Sequence, residues 1–319
     1  MTDQSAPIPI IPRIGSRQIR RWLDFNFGFI ALAPTIIILL ALTIFPLVYL
    51  VTVSFRHLDS GDPTKSHFVA LDNFSRLFSD TTFHNALLNT IVYCGVAVSV
   101  EIVLGMALAL LVHSAIGRLD LFRTFLLIPI MLPPIAVAIS WKLMYQPQFG
   151  IINDILYRLG IEDFLYDRGI IKGPILWASS PATAMLSIIL VDVWQSTPFV
   201  FLMFLAGLAS LPTEPYEAAE IDGAGFWRKF RDLTLPLLRP LIGIVFLFRL
   251  LDALRAFDVI YIVTRGGPAE ATDTLGYYIY RVAFQFFDLG YAGALSILML
   301  ILTIVISIFV LSRIYVDVE

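Results

Sequence analysis

Charge is scarce in this 319-residue sequence. Asp, Glu, Lys and Arg make up 15% of it and the net charge is −3, whereas soluble domains carry about 25% charged residues. A balance that small offers no basic surface for a nucleic acid, and none is expected as a partner. Cysteine is nearly absent too. Cys94 is the only one, so an intrachain disulfide and a four-cysteine zinc site are both excluded. His57, His67, His84 and His113 lack the spacing of converging metal ligands and read as surface or helix-end residues. No Gly-Lys pair occurs anywhere, so the chain has no Walker A loop and cannot cradle ATP that way. Neither a Ser-His-Asp nor a His-Glu-x-x-His constellation is visible, which argues against a membrane-embedded enzyme. Low-complexity tracts are missing. So is a convincing internal repeat, which argues against transporter folds built from two inverted halves.

What the sequence has in quantity is apolar length. Hydrophobic residues make up 58% of it and the mean hydropathy is +0.82, which places it in a bilayer. A spanning helix needs about 20 mostly apolar residues. The charge-free run Phe27–Phe55 is the first candidate, too long for a signal-peptide core and followed by no small-residue cleavage motif. Further spans are expected at about 86–113, 123–145, 180–208, 239–263 and 288–312. Pro129, Pro133 and Pro134 predict a kink or break in the third. The fifth is the least apolar. The expected fold is therefore an all-α polytopic membrane protein: a cytoplasmic segment 1–26, then a six-helix domain 27–315, with both termini on one side.

Basic residues set the sidedness. With the N-terminus inside, the inner segments hold Arg13, Arg17, Arg20, Arg21, Arg118, Arg123, Arg228, Lys229, Arg231, Arg239 and Arg313. The outer ones hold Arg56, Lys65, Arg76, Arg158, Arg168, Lys172, Arg265 and Arg281. Eleven against eight is a modest excess. The cluster Arg17, Arg20 and Arg21 just before the first span weighs more than basics spread over longer loops. Both termini and the polar island at 211–236 are expected in the cytoplasm.

That island lies between two long apolar segments. Thr213 can cap a helix with Pro215 in its first turn. Glu214, Glu217 and Glu220 favour a helix N-terminus, and Gly223 or Gly225 can end the helix in a left-handed conformation. A second short helix over about 226–233, before Pro236, completes the expectation. Small Ala218 and Ala219 let a partner backbone approach, and Glu217 is placed to meet a partner arginine. By pattern alone this is also an ordinary amphipathic loop.

Glu217-Ala218-Ala219, Gly223 three residues on, and Leu233-Thr234-Leu235-Pro236 after nine more resemble the "EAA" loop in membrane subunits of binding-protein-dependent ABC importers, with Leu233 in place of isoleucine. Phe149-Gly150-Ile151-Ile152-Asn153, Trp194, Tyr216–Gly225, Phe257-Asp258-Val259-Ile260-Tyr261 and Thr264-Arg265-Gly266-Gly267-Pro268 are similar to the sugar-importing branch of that family, over most of residues 25–315. The resemblance implies a type I permease fold with a cytoplasmic coupling helix in a bacterial inner membrane. It also implies a second, different permease subunit, an ATPase dimer holding ATP and Mg, an outer solute-binding protein, and a carbohydrate (sugar, glycoside, polyol or sugar acid) moved by alternating access. It assigns ATPase coupling to Glu217, Ala218, Ala219, Asp222, Gly223, Leu235 and Pro236. Matching to the maltose-importing permeases puts the sugar contacts on Gln195, Ser196, Phe199, Arg249, Asp252, Ala253 and Ala256. Several identities differ there, which puts maltose itself in doubt.

Charges inside spans normally face a cavity or a partner. Arg249, Asp252, Arg255 and Asp258 alternate in sign every three residues. They read either as a self-neutralising ladder or, at Arg249 and Asp252, as groups that bind a hydroxylated solute. Because arginine also holds anions in bidentate fashion, an anionic substrate stays open. Trp194 is a possible site wall. Glu101 and Lys142 read as interhelical pairs or cavity rim. A rival reading is an ion-coupled secondary transporter using Glu101, Asp192 or Asp258 as proton carriers.

Overall fold

A computed structural model describes residues 16–58, 66–114, 120–171 and 173–315, with side chains omitted at 16–30, 120–123 and 314–315. Most of the expected 1–26 segment, and Arg13, Lys65, Arg118 and Lys172 of the basic tally, lie outside the described residues. Packing divides the chain into two units, Met1–Val53 and Ser54–Glu319. The first is occupied by the helix α1 (Ser16–Ser54), whose Ala31–Ser54 stretch is apolar enough to span a bilayer.

The second unit is almost wholly helical. An antiparallel pair of two-residue strands, β1 (Arg56–His57) and β2 (His67–Phe68), precedes α2 (Asp72–Leu77) and the long α3 (Thr81–Ser114). Then come α4 (Asp120–Met131), α5 (Pro134–Met144), α6 (Ile151–Arg158), α7 (Ile161–Asp167) and α8 (Pro181–Ala209). They are followed by α9 (Glu214–Ile221), α10 (Phe226–Lys229), α11 (Leu235–Leu254), α12 (Leu275–Phe284) and α13 (Leu289–Tyr315). Two π-helical turns, Phe230–Thr234 and Ile260–Thr264, interrupt the series.

By length and apolarity α1, α3, α8 and α13 can each cross a membrane. The α4–α5 pair adds a fifth crossing if counted as one span. It bends by 101° at Leu132–Pro133, because Pro133 and Pro134 lack the N–H groups a continuous helix needs. At twenty residues α11 is long enough for about 30 Å of hydrocarbon. It carries Arg239, Arg249 and Asp252 and does not qualify on apolarity. The fifth span, expected to run to 263, ends as a helix at Leu254. Its last turn tightens, with the N–H groups of Arg255 and Ala256 donating to the carbonyls of Asp252 and Ala253. The four-charge ladder is therefore cut after Asp252.

The central seam is α3 against α8. Tyr93, Ala97 and Val98 of α3 are buried with Ile188 and Val191 of α8. One half-helix further on, Met106 and Ala109 pack with Val200, Phe201 and Phe204. Lipid tails are as apolar as leucine, so such helices associate through close packing at small residues. Gly105 shows how close: a Cβ there would lie 2.6 Å from Val200 Cγ1.

Side-chain bonds to backbone tie down the loops at the α3 N-terminus. Asn73 Nδ2 donates to the carbonyls of Ser54 and Arg56. Asn85 and Asn89 donate to the carbonyl of Glu270, and Asn89 also to that of Asp273. The Thr264–Pro268 segment is a structural corner, held by the Thr272 hydroxyl, which lies at hydrogen-bond distance from both Thr264 Oγ1 and the Gly267 carbonyl. Asn153 has a similar role. Its amide donates to the Ile175 carbonyl and it accepts from Trp177 Nε1.

Candidate functional site: an intramembrane cavity and a polar loop

Where α8, α11 and the α4–α5 bend converge, they leave a cavity of about 520 Å³. The bend supplies Ile130, Leu132 and Pro134. The Leu132 carbonyl, freed by the broken helix, accepts from Gln195 Nε2 at 3.3 Å, so the side chain that lines the cavity also secures its wall. Non-helical backbone at membrane depth is tolerated where it is buried in protein or lines such a space.

Arg249 organises the polar wall. Its Nε donates to Glu101 Oε2 at 2.6 Å and its Nη2 to Glu101 Oε1 at 2.9 Å, a bidentate pair. Nη2 also reaches Asp192 at 3.3 Å, and Nη1 donates to Asp252. Every guanidinium nitrogen is engaged. Arg249 and Glu101 are 3% and 0% exposed, whereas Asp252 is 73% exposed and stands towards the open space. Ser196 Oγ donates to Asp192 Oδ1 at 3.2 Å. The Tyr93 hydroxyl is buried near Asp192 without a hydrogen-bond partner of good geometry.

Gln195, Ser196, Phe199, Arg249, Asp252 and Ala256 line this one cavity. Ala253 does not. It is 4% exposed and packs in the core with Tyr93 and Ile188, because one residue beyond Asp252 the helix has turned about 100° away. Trp194 does not line it either, and packs edge-on to Trp141 with ring centroids 5.8 Å apart. Lys142 donates to the Ile262 carbonyl at 2.7 Å.

The 211–236 loop begins with α9. Thr213 stands at the cap but makes no side-chain cap bond. Its backbone is already helical, and its carbonyl accepts from the N–H groups of Tyr216 and Glu217. The other end follows the glycine rule. Gly223 has φ +72°, its N–H donates to the Glu220 carbonyl, and the Ala224 N–H donates to the Ala219 carbonyl, a Schellman closure. The second helix does not stop before Pro236. It runs through α10 and a π turn straight into α11. Pro236 has no N–H to give and its ring crowds the carbonyl four residues back, so the backbone widens there and continues.

Two bonds brace this helix-turn-helix. Lys229 Nζ donates to Glu220 at 2.7 Å across the glycine turn, and the Tyr216 hydroxyl meets Thr234 Oγ1 at 3.0 Å. The Lys229 bond and charge hold the Glu220 carboxyl below its ordinary pKa. Glu217, Ala218 and Asp222 remain exposed and Ala219 is half-buried. Ile221 and Trp227 are 88% and 75% exposed.

Residues 101–316 match the family described as "binding-protein-dependent transport system inner membrane component". The chain belongs to this family. Among its curated relatives is the sulfoquinovosyl glycerol transport system permease protein SmoG of Agrobacterium fabrum, 35% identical over 301 residues, covering 92% of this chain and 94% of that one. Another is the trehalose/maltose transport system permease protein MalF of Thermococcus litoralis, 34% identical over 291 residues, covering 90% and 93%. A crystal structure of a bacterial ABC transporter involved in the import of the acidic polysaccharide alginate shares the fold. Its TM-score is 0.78 over 93% of this chain and 98% of that one, at 23% identity.

Family membership removes the secondary-transporter reading, and the geometry gives two of its carboxylates other work: Glu101 and Asp192 are partners of Arg249. Glu101 is the residue that sequence reasoning undervalued. The available signal was a lone acid in an apolar helix, which requires a buried cation somewhere.

Proposed function

We propose that this permease is half of the path by which a carbohydrate enters a bacterial cytoplasm, driven by ATP hydrolysed in a partner subunit. The observation that carries the reading is the 520 Å³ cavity, where carboxylates, an amide and a serine hydroxyl stand beside Phe199, Phe248 and Phe257. Polar groups that exchange hydrogen bonds with hydroxyls, next to aromatic rings that cover sugar faces, suit such a solute. The sugar transport named for the relatives supports the same class.

In this reading the chain crosses the membrane six times, α11 included, with both termini and the 211–236 loop in the cytoplasm. A second permease completes the passage, and a solute-binding protein delivers the sugar on the far side. An ATPase dimer, holding ATP and Mg, seats on α9. Its closure moves α9, and the rigid run from α10 through the π turn carries that motion into α11 and so to Arg249 and Asp252. The cavity thus opens to one side and then the other.

The test is purification of the tagged chain from its native membrane in mild detergent, with mass spectrometry of what accompanies it. An ATPase and a second permease are expected. A chain that purifies alone and transports in ATP-free vesicles overturns the proposal.

A further inference from the structure

We infer that the cavity is one of two adjoining carbohydrate subsites. The second is a row of aromatic rings that leads from the cavity wall towards the end of the molecule opposite the 211–236 loop. The passage is therefore fitted to a solute of at least two rings: a disaccharide, a longer oligosaccharide or a glycoside. This rests on reading the cavity as the carbohydrate passage.

The row starts at Phe257, which lines the cavity from the non-helical stretch after Leu254. Four residues on, the Tyr261 ring lies nearly parallel to it, at 18° and 5.3 Å between centroids. The remaining rings come from α12. Tyr277, Tyr280 and Phe284 are spaced three and four residues apart and so share a helix face. Tyr280 meets Phe257 edge-on at 5.0 Å and Tyr261 at 5.5 Å, and Phe284 follows at 5.4 Å. The seat beneath them is firm. Tyr277 is 2% exposed and lies 6.0 Å from Tyr280. Gly266 makes room for it, since a Cβ there would stand 2.7 Å from Tyr277 Cε1.

The direction of the row follows from α3, which joins the two ends of the bundle. Just before its first turn, Asp80 accepts from the hydroxyls of Tyr278 in α12 and Tyr291 in α13. At its last turn, Ser114 borders an apolar pocket together with Phe226, Trp227 and Phe230 of the 211–236 loop. The α12 end is thus the far end from that loop. In the proposed function it is the side on which the solute arrives.

Exposure rises along the row. Phe257 is half-buried in the cavity wall, Tyr261 is 37% exposed and Phe284 65% exposed. Open ring faces accept the apolar C–H face of a sugar, and the hydroxyls of Tyr261 and Tyr280 can exchange hydrogen bonds with those of the solute. Rings anchored at a bilayer surface form a belt that needs no connection with a cavity. Here the rings touch one another in sequence and the first is part of the cavity wall. From Phe257 through Tyr280 to Phe284 there are two steps, more than a single sugar ring covers. A solute with one ring in the cavity can therefore lay its next ring on Tyr280 and Phe284. No charged side chain belongs to the row, so it selects by the number of rings.

The experiment uses the complete importer in lipid nanodiscs without its binding protein, so that only the membrane passage selects. Affinities are read by saturation-transfer NMR titration. The probes are a panel of disaccharides, trisaccharides and glycosides, each beside its own monosaccharide unit. At least one of the larger probes is expected to bind more tightly than its unit. Phe284→Ala, a change at an exposed side chain, is expected to weaken that probe by about threefold to tenfold and its unit by less. Phe284→Trp is expected to restore it, and Tyr280→Ala to act in the same sense as Phe284→Ala. Units that bind as tightly as the larger probes, row variants that change neither or both alike, or loss of the second permease from the Phe284→Ala complex overturn the aromatic subsite and leave the cavity standing. Binding of no panel member, or binding unaffected by both Gln195→Leu and Phe199→Ala, overturns the cavity reading itself.

Discussion

At the scale of single residues, Glu101 and Arg249 form a buried, bidentate ion pair. Removing one partner of a buried, hydrogen-bonded pair leaves a naked charge and costs about 3–5 kcal/mol. Glu101→Ala is accordingly expected to lower the thermal midpoint of the purified complex and its yield in the membrane. Asp252→Ala removes one exposed partner of Arg249 while Glu101 and Asp192 keep it paired, and is expected to lower both by less than Glu101→Ala does; circular dichroism or a dye-based melt on the two variants makes the comparison. A second residue-level expectation concerns Asp80 at the head of α3. Burial works against its charge, but the hydroxyls of Tyr278 and Tyr291, each at 2.6 Å, and the N–H groups of Phe83 and Thr82 outweigh it. Its pKa in the fold lies below the ordinary 3.8. Asp80 therefore adds stability above about pH 4, and this is lost as pH falls through the lowered value. Tyr291→Phe should move the loss to higher pH. Hydrogen exchange of the segment 80–90 as a function of pH reads this directly, and an unmoved midpoint counts against the network.

Secondary-structure elements show what was legible in the sequence and what was not. The apolar runs, the proline break in the third span, the helix 214–221 and its glycine end could all be read, because each rests on a local rule of length, missing N–H or positive φ. The convergence of Gln195, Ser196, Phe199, Arg249, Asp252 and Ala256 came from matching to relatives, and the cavity gives that convergence a geometry. Hidden from a one-dimensional reading were facts about other elements: Ala253 facing the core, α11 stopping at Leu254, and the Glu101–Arg249 pair spanning 148 positions. Thr213 fits a cap by residue type, but its backbone is already helical and its side chain makes no cap bond. The α3–α8 seam yields its own test. A leucine at Gly105 has no room against Val200 and the Phe201 backbone, 2.6 and 3.0 Å from the Cβ position. Gly105→Leu should cost at least the about 1–3 kcal/mol of ordinary overpacking, seen as earlier unfolding and proteolysis of both helices together.

For the molecule as a whole, the central claim is a mechanical link. In the proposed function the 211–236 loop receives the work of a partner ATPase and passes it through the braced glycine turn and the π turn to α11, which carries Arg249 and Asp252. The brace is internal, between Glu220 and Lys229 and between Tyr216 and Thr234, whereas Glu217 makes no such contact and stays exposed. It can therefore be changed without disturbing the fold. The most direct measurement is simultaneous ATP hydrolysis and solute uptake by the complete importer in proteoliposomes, with Glu217→Lys beside the wild type. The expected result is a normally folded variant with uptake abolished and ATP hydrolysis no longer responding to the loaded binding protein. Normal uptake with normally coupled hydrolysis would contradict the account.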